Sequence, residues 1–560
     1  MFKKTDPNPQ LDIFTAPSMQ LGSRASKKYS DPNAWHNQFY SLVTTKINEE
    51  IFKPLFPEGK KCGRPNASIR ILVAMSALKE GFGCSDEDLF EKCEFDLLTR
   101  KALGMELLTD VTPSIDTYYL FRRRICEYQE RTGIDLMQLC FEQLAGYQVR
   151  LLKISGKCVR MDSKLIGSNI ARQSRYELIH TTLVKFLKTC TLSDLSPEQE
   201  ERAKEYLKED SSKTVYRSDS DTLQSNLARI GNFIMEMLAT FPATSPAHDL
   251  LQRLFDEQYA VKDGKAVLRD KKEVKADSLQ NPNDPDATYR AKNDQKVQGY
   301  VTNITETVEE GKPNIITSVQ VETAVFADCH FLQEAVENSE RVTDSTIEDL
   351  YADGAYQSPD NREFAKNHNA MQLKTGKMQG GCRWELIPHD EDGLTVREIA
   401  TGNTYEAVKA VTKQGSRKRW RIPWNNKTGW RYFEDKDIKA YQLRKQIESL
   451  PLEEQHKRNN VEAAMFQYSF HTRKGKTRYR GLLKHRMHAY SRCMWMNLRR
   501  MVIFQISTFQ RSIFALFGPI REAFGSFKAI SRKIFTSGAD CYVSLRMTTL
   551  ARLDSKYVPF

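Results

Sequence analysis

The sequence predicts an α/β protein. A mixed five-stranded sheet with flanking helices is expected, preceded by an all-α region and interrupted by a helical and a β-rich insertion. Three observations carry that expectation. From Trp35 to about Tyr147 apolar residues recur at helical spacing. At Cys158–Ile166 the period changes to strict alternation. Beyond about residue 285, strand-like and helix-like stretches alternate again.

Residues 1–34 are polar, carry several prolines and show no periodicity, so an irregular arm is expected. Residues 35–150 form the all-α region. Ile69, Leu72, Val73 and Leu78 suit one helix, opened by Arg64-Pro65-Asn66. Cys84-Ser85-Asp86-Glu87-Asp88 has the composition of a helix cap, and Thr112-Pro113-Ser114 opens a further helix through Tyr118, Phe121 and Ile125. That helix carries Arg122, Arg123 and Arg124. The short helices suit either a helix-turn-helix-like DNA reader or a plain packing or dimerisation domain.

A catalytic domain is expected over residues 151–510. Cys158–Ile166 reads as a strand with Asp162 inside it, flanked by Gly156 and Gly167. A helical insertion follows over about 172–285, with Ser196-Pro197-Glu198-Gln199 as a capping box. Two strands, 297–304 and 315–321, read as a hairpin around Glu309–Asn314. Asp328 is expected to cap a helix through Phe331, Leu332 and Ala335. Asp349–Asp353 is a short strand ending at Gly354, Ser358-Pro359-Asp360 caps another helix, and Ala370–Leu373 is one more strand. Residues from about 376 to 435 are short, turn-rich strands and form the β-rich insertion. Helices return near Lys436, and residues 511–560 form a basic tail.

Composition narrows the class. Over 560 residues, 40% are hydrophobic and 28% charged, which is a globular balance. The 11 cysteines never form a CxxC pair, so a zinc ribbon or disulfide framework is not expected and a reducing cytoplasm is. The N-terminus lacks the apolar core of a signal peptide, and Met501–Ile520 is broken by Gln505, Gln510 and Arg511. The net charge is +12, and no acidic residue lies between Glu462 and Glu522. Arg473, Lys474, Lys476, Arg478, Arg480, Lys484, Arg486, Arg492, Arg499, Arg500, Arg511 and Arg521 fall in that window, so one segment carries the whole excess. Such a segment attracts nucleic acid through counterion release. A solvated basic face or a membrane-surface helix would have the same composition.

The chemistry follows from element order. A strand with Asp162, a hairpin, a helix, a strand ending in Asp353, a helix, a strand and a late helix with Glu462 make the skeleton of an RNase H-like fold. In that topology three carboxylates converge from two neighbouring parallel strands and a helix. Two hard cations held by such oxygens serve in-line phosphoryl transfer. Mg²⁺ is the expected cation, with Mn²⁺ as a substitute.

Three blocks carry a family resemblance: Val159-Arg160-Met161-Asp162-Ser163-Lys164, Tyr351-Ala352-Asp353-Gly354-Ala355-Tyr356 and Arg458-Asn459-Asn460-Val461-Glu462. In them the chain resembles the bacterial insertion-sequence DDE transposases, in the branch with a helical N-terminal domain. The layout resembles that branch over most of residues 35–505. The resemblance implies Asp162, Asp353 and Glu462 as catalytic, metal-holding residues. It departs in two places: the Tyr expected three residues before Arg458 is Gln455, and the Lys expected seven residues after Glu462 is Ser469. Lys474 or Lys476 is left to reach DNA instead.

Bland readings stand beside the sharp ones. Asp162 suits a paired structural Asp, Asp353 an Asp-Gly turn, and Glu462 a surface ion pair with Arg458 at i, i+4. Glu448, Glu453 and Glu454 are rivals of Glu462. The DNA contacts expected are Arg458, Arg473, Lys474, Lys476, Arg478, Arg480, Lys484 and Arg492, with Arg122, Arg123 and Arg124. Met487, Tyr490, Met494, Leu498 and Met501 make the inner face of a late helix, with Lys484, Arg492 and Arg499 turned outward. Trp420, Trp424 and Trp430, interleaved with Arg417, Lys418, Arg419, Arg421 and Lys427, suit stacking on unpaired bases, contact with transposon ends, or a small β core. The expected activity is metal-dependent cleavage and strand transfer at terminal inverted repeats, on double-stranded DNA, by a homodimer or higher synaptic complex at the bacterial nucleoid. An RNase H-like nuclease or resolvase, or a decayed DNA-binding protein, are the alternatives.

Overall fold

The computed structural model describes residues 2–5, 16–56, 65–242, 245–292, 295–375, 382–389, 393–410, 419–424, 429–449, 451 and 462–523. Two compact units emerge. One comprises Met1–Gly156, Ser163–Ser345 and Ala464–Phe560, the other Lys157–Asp162 and Thr346–Ala463. Strand β1 (Cys158–Gly167) passes from the second into the first after Asp162.

The first unit opens with short helices Pro17–Gln20 and Ser23–Tyr29 where an irregular arm is expected; the expected helices follow, and their caps explain their starts. Ser68 accepts from Ile71 N to open Ile69–Phe82, and Ser85 forms a capping box with Asp88 to open Asp86–Phe95. Ser114 opens Ile115–Thr132 and Asp135 opens Leu136–Leu152. Their apolar faces share one core with the long helix Leu482–Ala523. Trp495 of that helix lies against the rings of Trp35, Phe39 and Phe82, with centroids 6.2, 6.1 and 5.5 Å away. The approach is close at Gly81, where an added Cβ would sit 2.3 Å from the Trp495 ring.

The helical insertion builds a core of its own. Helices Arg175–Leu187, Pro197–Lys208, Ser220–Thr240 and Pro246–Gln258 pack around Phe186, Ile230, Phe233 and Leu254. A hairpin of β2 (Tyr259–Lys262) and β3 (Lys265–Leu268) closes it. The Ser196–Gln199 capping box forms with Pro197 in the first turn, as the sequence predicts. Next come the antiparallel strands β4 (Thr288–Lys292), β5 (Gln295–Thr307) and β6 (Ile316–Thr323). β4 adds a strand to the expected set; Thr-Tyr-Arg-Ala-Lys is too short and too charged to stand out as one. The end of β1 continues beside β5, with Ser168 N donating to Gln298 O at 3.0 Å. Gly299 makes this possible, since a Cβ there would lie 2.4 Å from the Ile166 carbonyl oxygen.

His485 sits under this sheet, with its ring centroid 4.2 Å from that of Tyr300 and its Nε2 3.2 Å from the Tyr479 carbonyl. Burial, aided by nearby His488, holds the imidazole down at about 3. The unfolded chain takes up this proton near pH 6.5, well before the folded one. Stability is therefore complete above about pH 6.5 and lost as pH falls toward 3. Between pH 6.5 and 5 the loss is on the order of 2 kcal/mol. Thermal melts are expected to show a lower Tm at pH 5 than at pH 7.5, and a smaller difference in His485→Gln, whose amide still donates to Tyr479 O. An unchanged pH slope in that variant would remove His485 from the account.

In the second unit, Cys158–Arg160 of β1 pairs in parallel with Asp349–Tyr351 of β7 (Asp349–Ala352), which pairs in parallel with β8 (Gln372–Thr375). The β-rich insertion is a five-stranded antiparallel sheet in the order β13-β12-β11-β10-β9. Its strands are β9 (Trp384–His389), β10 (Gly393–Glu398), β11 (Thr404–Ala410), β12 (Arg419–Trp424) and β13 (Gly429–Glu434). Helix Asp435–Glu448 follows, and its Ile438 and Tyr441 join the apolar face of that sheet. The mixed α/β class expected from the sequence is what the chain adopts. Among the described residues no helix is long and apolar enough to cross a membrane.

Candidate active site

β1 and β7 bring two of the three expected carboxylates to matching positions. Their register pairs Cys158 with Asp349, Val159 with Leu350 and Arg160 with Tyr351. Two residues beyond the last registered pair stand Asp162, within β1, and Asp353, one residue past the end of β7. Side chains alternate along a strand, and registered positions on parallel neighbours share a face about 4.8 Å apart. Burial supports the match: Val159–Met161 and Leu350–Ala352 are buried, whereas Asp162 and Asp353 are both half-buried. Asp353 also opens the short turn Gly354–Tyr356, with its Oδ1 accepting from Gly354 N at 2.6 Å. The turn reading and the strand-end reading of Asp353 thus hold together.

Glu462 begins a helical stretch, 462–469, and is exposed. Among the described residues no group of three or more His, Cys, Asp or Glu side chains is gathered as a cation site. Asp162 and Asp353 thus each follow the Arg160–Tyr351 pair by two residues, and among the described residues Glu462 is not gathered with them as a cation site. Arg458, Glu453 and Glu454 lie outside the described residues, while Glu448 ends helix Asp435–Glu448.

Ser469, which stands where the resemblance expects Lys, accepts a hydrogen bond from Lys164 Nζ at 2.7 Å. A lysine from β1 thus occupies the surroundings of that helix position. Lys476 is engaged elsewhere, donating to Ile170 O at 2.6 Å, and Lys474 is exposed.

The basic segment divides into inward and outward cations. Arg492 is only 2% exposed and donates to the carbonyls of Glu80 and Gln467, at 2.9 and 2.5 Å. The expectation that it faces outward is corrected: it satisfies carbonyls at the C-terminal end of helix Ile69–Phe82, which that helix cannot satisfy itself. Arg486 donates to Val321 O at 3.1 Å, and Arg500 pairs with the buried Glu306 at 2.7 Å. Arg478 and Arg480 remain exposed yet donate to Gly83 O and Asn169 O. Arg473 and Lys484 are exposed.

In the N-terminal helices Arg122 lies over the rings of Tyr118 and Tyr479, at 5.4 and 5.2 Å, rather than in solvent. Arg124 lies over Phe56 at 5.9 Å, and Arg123 pairs with Glu127 on an exposed helix face. Helices Ile69–Phe82 and Asp86–Phe95 are joined by a three-residue turn containing left-handed Gly83, as in a helix-turn-helix. The second of them carries Asp86, Glu87, Asp88, Glu91 and Glu94 against Lys92. That charge opposes insertion into a groove lined by phosphates. Asp328 differs too. It accepts from Arg290, at 2.9 Å, with Lys292 3.6 Å away, and caps no helix.

Against this background the comparison with known proteins is informative. Residues 28–124 match the family model described as "Transposase domain (DUF772)". The similarity supports a transposase. It covers the helices through Arg124 and, with them, the surfaces that pack on Trp495. No curated protein and no solved structure matches the chain. A transposase domain implies DNA as a partner, which agrees with the basic excess.

Proposed function

We propose that the chain is a DDE-type DNA transposase that cleaves the ends of its element and joins them to target DNA. The observation that supports this is the parallel pairing of Cys158–Arg160 with Asp349–Tyr351, with Asp162 and Asp353 each two residues beyond its last pair. Two carboxylates just beyond a parallel pairing of neighbouring strands are oxygen donors suited to a hard cation. Asp162 and Asp353 would hold it, with Glu462 as the third ligand. Bound Mg²⁺ or Mn²⁺ supplies activation of a water or 3′ hydroxyl and stabilisation of the departing oxygen. The test is incubation with duplex DNA carrying the element's terminal repeats and Mg²⁺. Nicked and joined products are expected; nicks without joined products would leave a nuclease, and neither would overturn the reading.

Lys164 has a place in this reading. It lies two residues beyond Asp162 on the same face of β1, and its partner Ser469 lies seven beyond Glu462, on one helix face. An ammonium there would hold a phosphate of the DNA. Lys164→Ala is expected to slow cleavage roughly tenfold to a hundredfold, the worth of a charge-assisted hydrogen bond. Adding Ser469→Lys to that variant is expected to restore most of the rate. Failure of the double variant to recover would show that Lys164 acts otherwise.

A further inference from the structure

The β-rich insertion presents two different faces. One is closed: Trp384, Leu386, Trp420, Ile422 and Phe433 pack together with Ile438 and Tyr441. Alternation along β12 and β13 turns Arg419, Arg421, Trp430 and Tyr432 to the other face. There the guanidinium of Arg421 lies 4.2 Å from the Trp430 ring centroid, and that of Arg419 lies 3.8 Å from the Tyr432 centroid. Trp430 is 48% and Tyr432 37% exposed. The Nε atoms of both arginines are buried without a hydrogen-bond partner.

In each pair a planar cation lies over an aromatic ring, which restrains both side chains before any ligand arrives. Two such pairs side by side offer π surfaces and positive charge in one place. On this face of β12 and β13 Arg419 and Arg421 stand against Glu434, so it carries a net positive charge and favours an anion. Flat aromatic surfaces with cations alongside suit bases that are free to stack, and a duplex keeps its bases inside.

We propose that this outer face of β12–β13 binds unpaired DNA, stacking bases on Trp430 and Tyr432 while Arg419 and Arg421 meet the phosphates. It extends the transposase reading, because cutting and joining expose single strands, but its test is independent of catalysis. The full chain is titrated in EDTA with a labelled single strand of about 15 nucleotides, and with a duplex of the same sequence. Trp430→Ala with Tyr432→Ala is expected to weaken single-strand binding at least about tenfold and leave duplex binding within about twofold. Arg421→Met, which keeps the stem, is expected to weaken it likewise, and Trp430→Phe to retain it. Asp162→Asn is expected to bind as the parent does, so loss of strand joining would not be mistaken for loss of this surface. Single-strand affinity unchanged in both the double variant and Arg421→Met would overturn the proposal, as would equal losses on duplex.

Discussion

Asp162→Asn is expected to abolish strand cleavage, lowering its rate by at least about a thousandfold, and Asp353→Asn to do the same. The reasoning is geometric. Asp162 and Asp353 each lie two residues beyond the Arg160–Tyr351 pair of neighbouring parallel strands, and the proposed site places their carboxylates on one face. Asn keeps size and shape but removes the negative charge that a divalent cation needs. Neither variant should alter the fold, because both side chains are half-buried rather than part of an apolar core. The check is a gel assay of nicked and joined products with Mg²⁺, alongside a melting curve. If either variant cleaves as well as the parent, the metal-site proposal fails. Glu462→Gln gives a separate result, because the exposed Glu462 is not gathered with the pair. Loss of activity there would mean that the helix reaches the aspartates when DNA is bound.

The largest effect on stability is expected at Glu80. Its carboxylate accepts from Tyr479 Oη and lies 2.7 Å from His488 Nδ1. Burial alone pushes Glu80 upward, but His488, Lys79 and Tyr479 together outweigh it and hold the carboxyl down at about 2. Glu80→Ala would leave His488 and Tyr479 buried without their acceptor. A loss of about 3–5 kcal/mol is expected, read as a fall in Tm on the order of 10 °C. Glu80→Gln should fall between the two, since its amide oxygen still accepts. The ionised form stabilises the fold fully above about pH 4.5, its value in the unfolded chain, and progressively less as pH falls toward 2. A Tm within a degree or two of the parent's would show that the cluster is dispensable.

What could be read in the sequence was local. Alternation marks β1 around Asp162, and the Asp-Gly junction marks the end of β7, so each aspartate is legible without its partner strand. The Ser196–Gln199 box was equally legible, because every atom of a cap lies within four residues. Long-range pairing had no such signature. Arg492 meets the end of a helix more than 400 residues earlier, and Asp328 meets Arg290 across a strand. A count of charges cannot tell a cation that satisfies a carbonyl from one that faces water. The tryptophans show a signal that was present but undervalued. In Arg419-Trp420-Arg421-Ile422 the period of two already puts Trp420 inside, and in Trp430-Arg431-Tyr432-Phe433 it already puts Tyr432 beside Trp430 on the far side. Without the register of β12 on β13, nothing joined these rings to Arg419 and Arg421.

The placement of Trp495 bears on how such a protein can diversify. Its ring fills the space between Trp35, Phe39 and Phe82, and Gly81 leaves room for nothing larger than hydrogen. The helices of residues 28–124 are consequently no interchangeable cassette. Exchanging them for a homologous set, as a route to new target ends, would require the graft to bring its own socket for an indole contributed from near the other end of the chain.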